Sequence, residues 1–331
     1  MRAWLIEEQL GVEALKLVER EKPVPGDGQV LVRMTAPGVV PFDSAVINNE
    51  NEADFPPAAL PIQPGNQGAG VVEDPGRSAF AKGDRVMFGT FAYGFMRPGS
   101  WAEYVAVDEV DLARIPGSVP DGAAAQAVVA YPTAYMALRE AGFQAGKTVL
   151  ATGIGGSVGN AAYQLARALG ASRVLGTVGS ADKARLSREA GFDNVIDLSS
   201  ESMADGVMRL TAGEGVDIVI DAVGGKVIAS TVKCVKRYGV IITLGFAAGR
   251  TSTITLADLI LRRARIQGFG VYTSTAEEWR DAWGTFSRLA DEGKIKPLFD
   301  RSFPFEQAAE AVRYIIEGRP FGAVALSLGQ R

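Results

Sequence analysis

The chain has 331 residues, 47% of them apolar and 22% charged, the composition of a globular protein with room for about two domains. Its formal net charge of −4 argues against a protein that works by neutralising nucleic-acid phosphates. Histidine is absent and Cys234 is the lone cysteine, which excludes a Ser-His-Asp triad, a cysteine-rich zinc site and an intrachain disulfide, and makes the cytoplasm the simplest setting.

In chain order, the N-terminus lacks the apolar stretch of a signal peptide, and no later run reaches the ~18 apolar residues that cross a bilayer. The first ~120 residues read as strands and turns. Gln29–Met34, Gly68–Val72, Asp84–Phe88 and Trp101–Val107 are the strands, and Pro56, Pro57, Pro61 and Pro64 make 51–65 a loop. From about 122 the texture changes to an Ala/Val-rich helix followed by alternating strands and helices. Strands are expected at 148–151, 173–178, 195–196, 216–220 and 240–244, with helices at 160–169 and 181–190. Continuous β-branched runs between helices mark a parallel sheet covered on both faces. Two amphipathic helices, 276–292 and 306–317, and a strand over 321–328 close the chain. The basic run Arg262-Arg263-Ala264-Arg265 reads as a solvated or subunit-facing patch.

The clearest chemical signal is Thr152-Gly153-Ile154-Gly155-Gly156-Ser157-Val158-Gly159, between a strand and a helix. A helix start offers unpaired N–H groups and positive dipole character, and glycines let a pyrophosphate approach them. The spacing is Gly-x-x-Gly-x-x-Gly, and the strand–turn–helix–strand context is that of a dinucleotide site. The tip of the next strand selects the nucleotide. An NAD site carries Asp or Glu there, whereas this chain has Gly179-Ser180 followed by Lys183. Ser180 and Lys183 can receive the 2′-phosphate of NADPH, or be a helix N-cap and a solvated lysine.

With these motifs in place, the chain resembles the medium-chain dehydrogenase/reductase superfamily, and within it the zinc-independent quinone oxidoreductases of the zeta-crystallin type. The resemblance is carried by Pro64–Val72, Lys82–Val86, Gly99–Val105, Pro132–Tyr135, the glycine loop, Asp221–Gly225, Gly239–Gly245 and Gly293–Leu298. It implies an α/β fold with a GroES-like β-rich catalytic domain (1–121 and 272–331) and an inserted Rossmann domain (122–271), the active site lying in the cleft between them. It also implies a homodimer that pairs the last Rossmann strand, near 266–271, with its copy. By the same resemblance Thr133, Val223, Gly224, Leu244, Gly245 and Phe246 join the glycine loop, Ser180 and Lys183 in binding NADPH. Zinc-using relatives place ligands where this chain has Val40, Asn66-Gln67 and Val129, so no metal is expected.

Without zinc the substrate must itself spread developing charge, as quinones and α,β-unsaturated carbonyls do. The expected activity is hydride transfer from NADPH to such an acceptor. The alternatives are an enoyl-thioester reductase of the same superfamily and a catalytically idle NADPH-binding sensor or structural protein. Where relatives carry Asn and Tyr, the early loop Gly38–Ala45 has Val40 and Ala45. The remaining catalytic candidates are Tyr135, Tyr131 and Asp43, with Tyr93 in an aromatic segment, 88–96, that either lines a pocket or packs as a loop. Tyr135 matches a tyrosine bordering the nicotinamide, and its alternative reading is a packed aromatic. Partners are a small-molecule quinone or enone, with no nucleic acid and no membrane.

Overall fold

The computed structural model describes residues 1–50, 60–90 and 92–329. Most of the expected 51–65 loop, and Phe91 of the aromatic segment, lie outside the described residues. The fold is α/β and divides into two compact units, Met1–Val129 with Pro297–Arg331, and Ala130–Lys296.

The first unit is the β-rich GroES-like part. Its largest sheet runs in the order Phe299–Pro304, Ala323–Ser327, Gln29–Val39, Gln67–Asp74, Arg85–Gly89, Leu112–Arg114, and Tyr104–Asp108 also pairs with Gln29–Val39. The long central strand serves three neighbours: Gln29–Arg33 oppose Tyr104–Asp108, Leu31–Pro37 oppose Gly68–Asp74, and Gly38 and Val39 oppose Ala325 and Val324. Its alternating residues Val30, Val32 and Met34 enter one core with Val86, Phe88, Val105 and Val107, as period-2 patterning requires. A second core gathers Trp4, Ile6, Ile47, Trp101, Phe305, Val324 and Leu326 from both ends of the chain. The hairpin Arg2–Ile6/Leu15–Glu19 and the short helix Pro41–Ile47 were not evident from the sequence.

The second unit is the parallel-sheet Rossmann part. Its six strands run in the order Val195–Asp197, Arg173–Val178, Thr148–Ala151, Val216–Asp221, Val235–Thr243, Arg265–Gly268. Every pair is parallel. The chain thus starts in the middle, builds outward to one edge, and returns to build outward to the other, the doubly wound arrangement with a switch point between the first and fourth strands. The helix Ser157–Ala168 lays Ala161, Ala162, Leu165 and Ala166 on the sheet, all buried. Small alanines there let helix and strand approach closely, while Leu150, Leu175, Ile196, Val219 and Ile241 pack in one core with Met203, Val207 and Ile228 from helices Met203–Leu210 and Lys226–Thr231.

Compactness places the crossings between units at 129/130 and 296/297, where the sequence reading places them at 121/122 and 271/272. The later return has a packing cause. Helix Ala276–Asp291 buries Trp279, Trp283, Phe286 and Leu289, and the Phe286 ring lies 4.8 Å from that of Tyr131. Beyond it, Gln164 closes a two-way clasp on Lys296, donating to its carbonyl (2.8 Å) and accepting from its N–H (2.6 Å). The expected 306–317 helix is α-helical over Ala308–Arg313 and widens into a π turn at Tyr314–Gly318. No helix among the described residues is long and apolar enough to cross a membrane.

Candidate active site

At the carboxyl ends of the two central strands of the second unit, Thr152 and Asp221 are both fully buried. The Thr152 hydroxyl donates to Asp221 Oδ1 (2.8 Å) and accepts from the Ala222 N–H (3.0 Å). Asp221 also accepts from the N–H groups of Val223 (3.1 Å) and Gly224 (3.2 Å). A buried carboxylate surrounded by donors resists displacement, so this clamp fixes the two turns on either side of the switch point.

The glycine loop leaves the clamp with each glycine under a different constraint. Gly153 has φ +64°, a left-handed conformation that favours glycine, and its N–H donates to Thr177 Oγ1 (3.1 Å). A Cβ on Gly159 would stand 2.3 Å from the Thr152 carbonyl oxygen and 2.5 Å from that of Gly153, so the helix can seat on the loop only without one. Gly156 is neither strained nor crowded. Its φ −91° and ψ 163° suit any residue, and a Cβ would meet only Gly153 O at 3.4 Å. What a side chain at 156 would fill is open space over the first turn of helix Ser157–Ala168. That turn carries no acidic residue, and its first intrahelical bond runs from Asn160 N to Gly156 O. Gly155 is buried beneath, while Ser157 and Val158 are half-buried. An open helix start with no acid in its first turn is what a pyrophosphate fits.

The neighbouring strand ends are close-set. Gly224 has φ +69°, and a Cβ there would lie 2.3 Å from Gly245 O; one on Gly245 would lie 2.2 Å from Ala222 O. The Leu244 N–H donates to Asp221 O (3.0 Å). Val223 Cγ2 sits 2.7 Å from the Cβ position of Gly153. The structure therefore brings the glycine loop, Val223, Gly224, Leu244 and Gly245 to one edge. Phe246 follows, exposed, with the Arg250 guanidinium 4.8 Å over its ring. Beside the loop, Ser180 caps helix Ala181–Glu189 by accepting from the Lys183 N–H (3.3 Å). Nothing lies within 4 Å of a Cβ placed on Gly179, so the strand tip is open where an NAD site sets its acid.

Of the three catalytic candidates, Tyr131 and Tyr135 belong to the second unit and Asp43 to the first. Thr133, Tyr131 and Tyr135 share the second-unit half of helix Asp121–Glu140, and Thr133 is buried. Tyr131 is buried against Phe286, its hydroxyl 3.4 Å from Asn160 Oδ1, and burial pushes its pKa well above the ordinary tyrosine value. Tyr135 is half-buried and donates to Asp281 Oδ2 (3.1 Å), which Arg139 also pairs at 3.0 Å. Asp43 belongs to the first unit. It accepts from the Val40 N–H (2.8 Å) and the Asn66 N–H (3.4 Å), and burial pushes its pKa up to about 7 despite those donors and that of Gly65. Tyr93 is also engaged, donating to Asp111 (3.0 Å) and accepting from the Asp108 N–H (3.0 Å).

Asp43 holds the backbones of Val40 and Asn66, and a Cβ on Gly89 would touch both Gln67 Cβ (2.8 Å) and Val129 Cγ2 (2.7 Å). Two valines and two neutral carboxamides do not fit a zinc ion, which takes thiolate, imidazole or carboxylate. Among the described residues no group of three His, Cys, Asp or Glu side chains could hold a metal. Asn66 Oδ1 and Gln67 Oε1 are buried without any hydrogen-bond partner. Sequence reading missed these two unpaired oxygens and the Thr152–Asp221 clamp, because each depends on a partner, or the lack of one, from distant chain.

Comparison with known proteins adds three findings. The family profile described as alcohol dehydrogenase GroES-like domain matches residues 26–117, and that described as zinc-binding dehydrogenase matches residues 157–288. Human quinone oxidoreductase is 30% identical over 322 residues, spanning 96% of this chain and 94% of the relative. Among solved structures, an NAD-dependent alcohol dehydrogenase is similar with a TM-score of 0.87 and 30% identity over 99% of this chain and 100% of that one. Escherichia coli quinone oxidoreductase complexed with NADPH is similar with a TM-score of 0.85 and 25% identity over 99% and 100% of the two chains.

Proposed function

Because the chain belongs to the quinone oxidoreductase family of the medium-chain dehydrogenase/reductase superfamily, we propose that it is a zinc-independent, NADPH-dependent reductase of quinones or α,β-unsaturated carbonyls. The observation that carries this reading is the open space over Gly156 at the start of a helix, set at the switch point of the sheet. In this reading the backbone N–H groups of Val158 and Gly159 hold the pyrophosphate, that of Gly156 being engaged by the Gly153 carbonyl (2.9 Å), and Ser180 and Lys183 meet the 2′-phosphate. Thr133, Val223, Gly224, Leu244, Gly245 and Phe246 carry the nicotinamide half. When bound, the reduced nicotinamide supplies a hydride.

The protein's own side chains orient the acceptor, whose conjugation spreads the developing charge. Tyr135 keeps a hydroxyl near solvent, held by Asp281, and is the candidate to border the nicotinamide. Tyr131 and Asp43 act as positioning groups, one by packing and the other by holding the Val40 and Asn66 backbones. The cytoplasm suits Cys234, a buried thiol pushed up to about 12 by desolvation.

A second copy is the natural cover for strand Arg265–Gly268, which ends its sheet, beside a helix that exposes Leu256, Ile260 and Leu261. Ile260→Arg is expected to yield a monomer by light scattering; an unchanged mass would remove the homodimer from the proposal. The reductase itself is tested by an acceptor panel with NADPH and NADH in parallel. Sustained NADPH oxidation with a quinone or enone is expected, and failure across the panel despite nucleotide binding would favour an idle binding protein.

A further inference from the structure

The chain passes between the two units at 129/130 and 296/297, and regular backbone bonding is interrupted at each place. The first lies inside helix Asp121–Glu140, where Pro132 has no N–H to give the Val128 carbonyl. The second lies in 295–298, a stretch in no helix or strand. On the side of the second unit, both are held by one helix, Ser157–Ala168. Gln164 clasps the Lys296 backbone, Nε2 donating to its carbonyl (2.8 Å) and Oε1 accepting from its N–H (2.6 Å). Asn160 lies one turn nearer the glycine loop on the same helix face. Its Oδ1 accepts from Gln164 Nε2 (2.8 Å) and from the Tyr131 hydroxyl (3.4 Å). All three side chains are buried, and Asn160 Nδ2 has no partner, so Asn160 joins this network through Oδ1 alone.

The first turn of that helix is the part a pyrophosphate would meet. Its N-cap is Gly156, which makes no side-chain cap, and a turn without a cap frays until something accepts from its N–H groups. A bound anion supplies the cap. The Asn160 N–H closes this turn on Gly156 O (3.0 Å), so capping the turn also fixes the Asn160 side chain and the oxygen that orients Gln164 Nε2. We infer that Asn160 and Gln164 are positioning residues that form a relay: nucleotide at the first turn tightens the clasp on Lys296 and the hold on Tyr131, so the roots of both connections are firmer in the loaded protein. The inference rests on the dinucleotide-binding reading.

Hydrogen exchange at the Lys296 amide reads the clasp directly, since Gln164 Oε1 is its acceptor. In wild type, saturating NADPH or inorganic pyrophosphate is expected to slow that exchange by about tenfold. Gln164→Leu breaks the clasp, so its Lys296 amide should exchange fast with or without ligand, and by reciprocity its NADPH affinity should fall by about the same tenfold. Asn160→Leu keeps the clasp but cuts the relay, so its Lys296 amide should stay protected and no longer respond to ligand. A clasp that only holds the fold together gives equal protection with and without bound nucleotide in wild type, and unchanged NADPH affinity in Gln164→Leu. Either result overturns the inference, as does a response that persists in Asn160→Leu, and the wild-type arm depends on no variant folding. Absence of NADPH and pyrophosphate binding to wild type in calorimetry would mean that the dinucleotide reading has failed first, taking the relay with it. Binding without added protection refutes the relay alone.

Discussion

The switch-point edge of the second unit and the Asp43–Gln67 corner of the first solve opposite problems. At the edge, side chains have been removed so that backbone can face a ligand: Gly156 has ordinary dihedral angles and open space above it. In the corner, polar side chains are buried among carbon, and two carboxamide oxygens, Asn66 Oδ1 and Gln67 Oε1, go without a partner. One place is thus marked by a missing side chain and the other by a missing partner. Only the first kind of mark is written in the order of residues.

The comparison breaks most readily at the glycines. Gly159→Val would push a Cβ into two carbonyl oxygens and is expected to cost about 4 kcal/mol or more, or to abolish folding, in urea titrations. Gly156→Val, three residues earlier, should leave unfolding nearly unchanged while weakening NADPH and NADH alike by roughly 100-fold, about 2.7 kcal/mol, in calorimetry. Retained affinity in that variant would show that the open space is not the pyrophosphate cradle.

How much was legible follows the same division. Strands 148–151 and 173–178 and the glycine loop announce themselves because burial on both faces demands β-branched runs and the loop demands glycine at fixed spacing. Helix Ala276–Asp291 was legible as a helix, since Trp279, Trp283 and Phe286 recur at helical spacing. The stripe says that a helix is packed, and not on what, so its place against Tyr131 was not. Hairpin Arg2–Ile6/Leu15–Glu19 escaped because the second strand is mostly exposed and alternates weakly. Asp221 enters the sequence reading only as part of the stretch 221–225 that carries the resemblance, because its role depends on Thr152, sixty-nine positions earlier, lying 2.8 Å from it.

The corner is sharpened by pH. The Asp43 carboxyl, pushed up to about 7 by burial, binds its proton more tightly in the folded chain than at the ordinary ~3.9 of the unfolded one. Its contribution is complete below pH ~4 and is lost as pH rises through about 7, so stability should fall by about 2 kcal/mol between pH 5 and 7. Asp43→Asn cannot ionise and should flatten that slope in urea titrations at the two pH values. An unchanged slope would locate the pH dependence elsewhere.

The smallest expected effect isolates one charge at the edge. Ser180 caps its helix by accepting from the backbone N–H of Lys183, not from the lysine ammonium. Lys183→Ala therefore keeps the cap and should change stability by no more than about 0.5 kcal/mol. Ser180→Ala would confuse the question by losing about 1 kcal/mol of capping. A 2′-phosphate carries nearly two negative charges beyond what NADH presents, and a half-buried lysine one turn into the helix is placed to meet them. Asp182, next to it, opposes that attraction, which keeps the expected loss to about tenfold in NADPH affinity, or about 1.4 kcal/mol, with NADH within about twofold. Parallel titrations of the variant with both nucleotides measure the difference directly. Equal weakening would mean that Lys183 shapes the loop rather than reading the phosphate, and the proposed preference for NADPH would then rest on Ser180 and the open tip at Gly179.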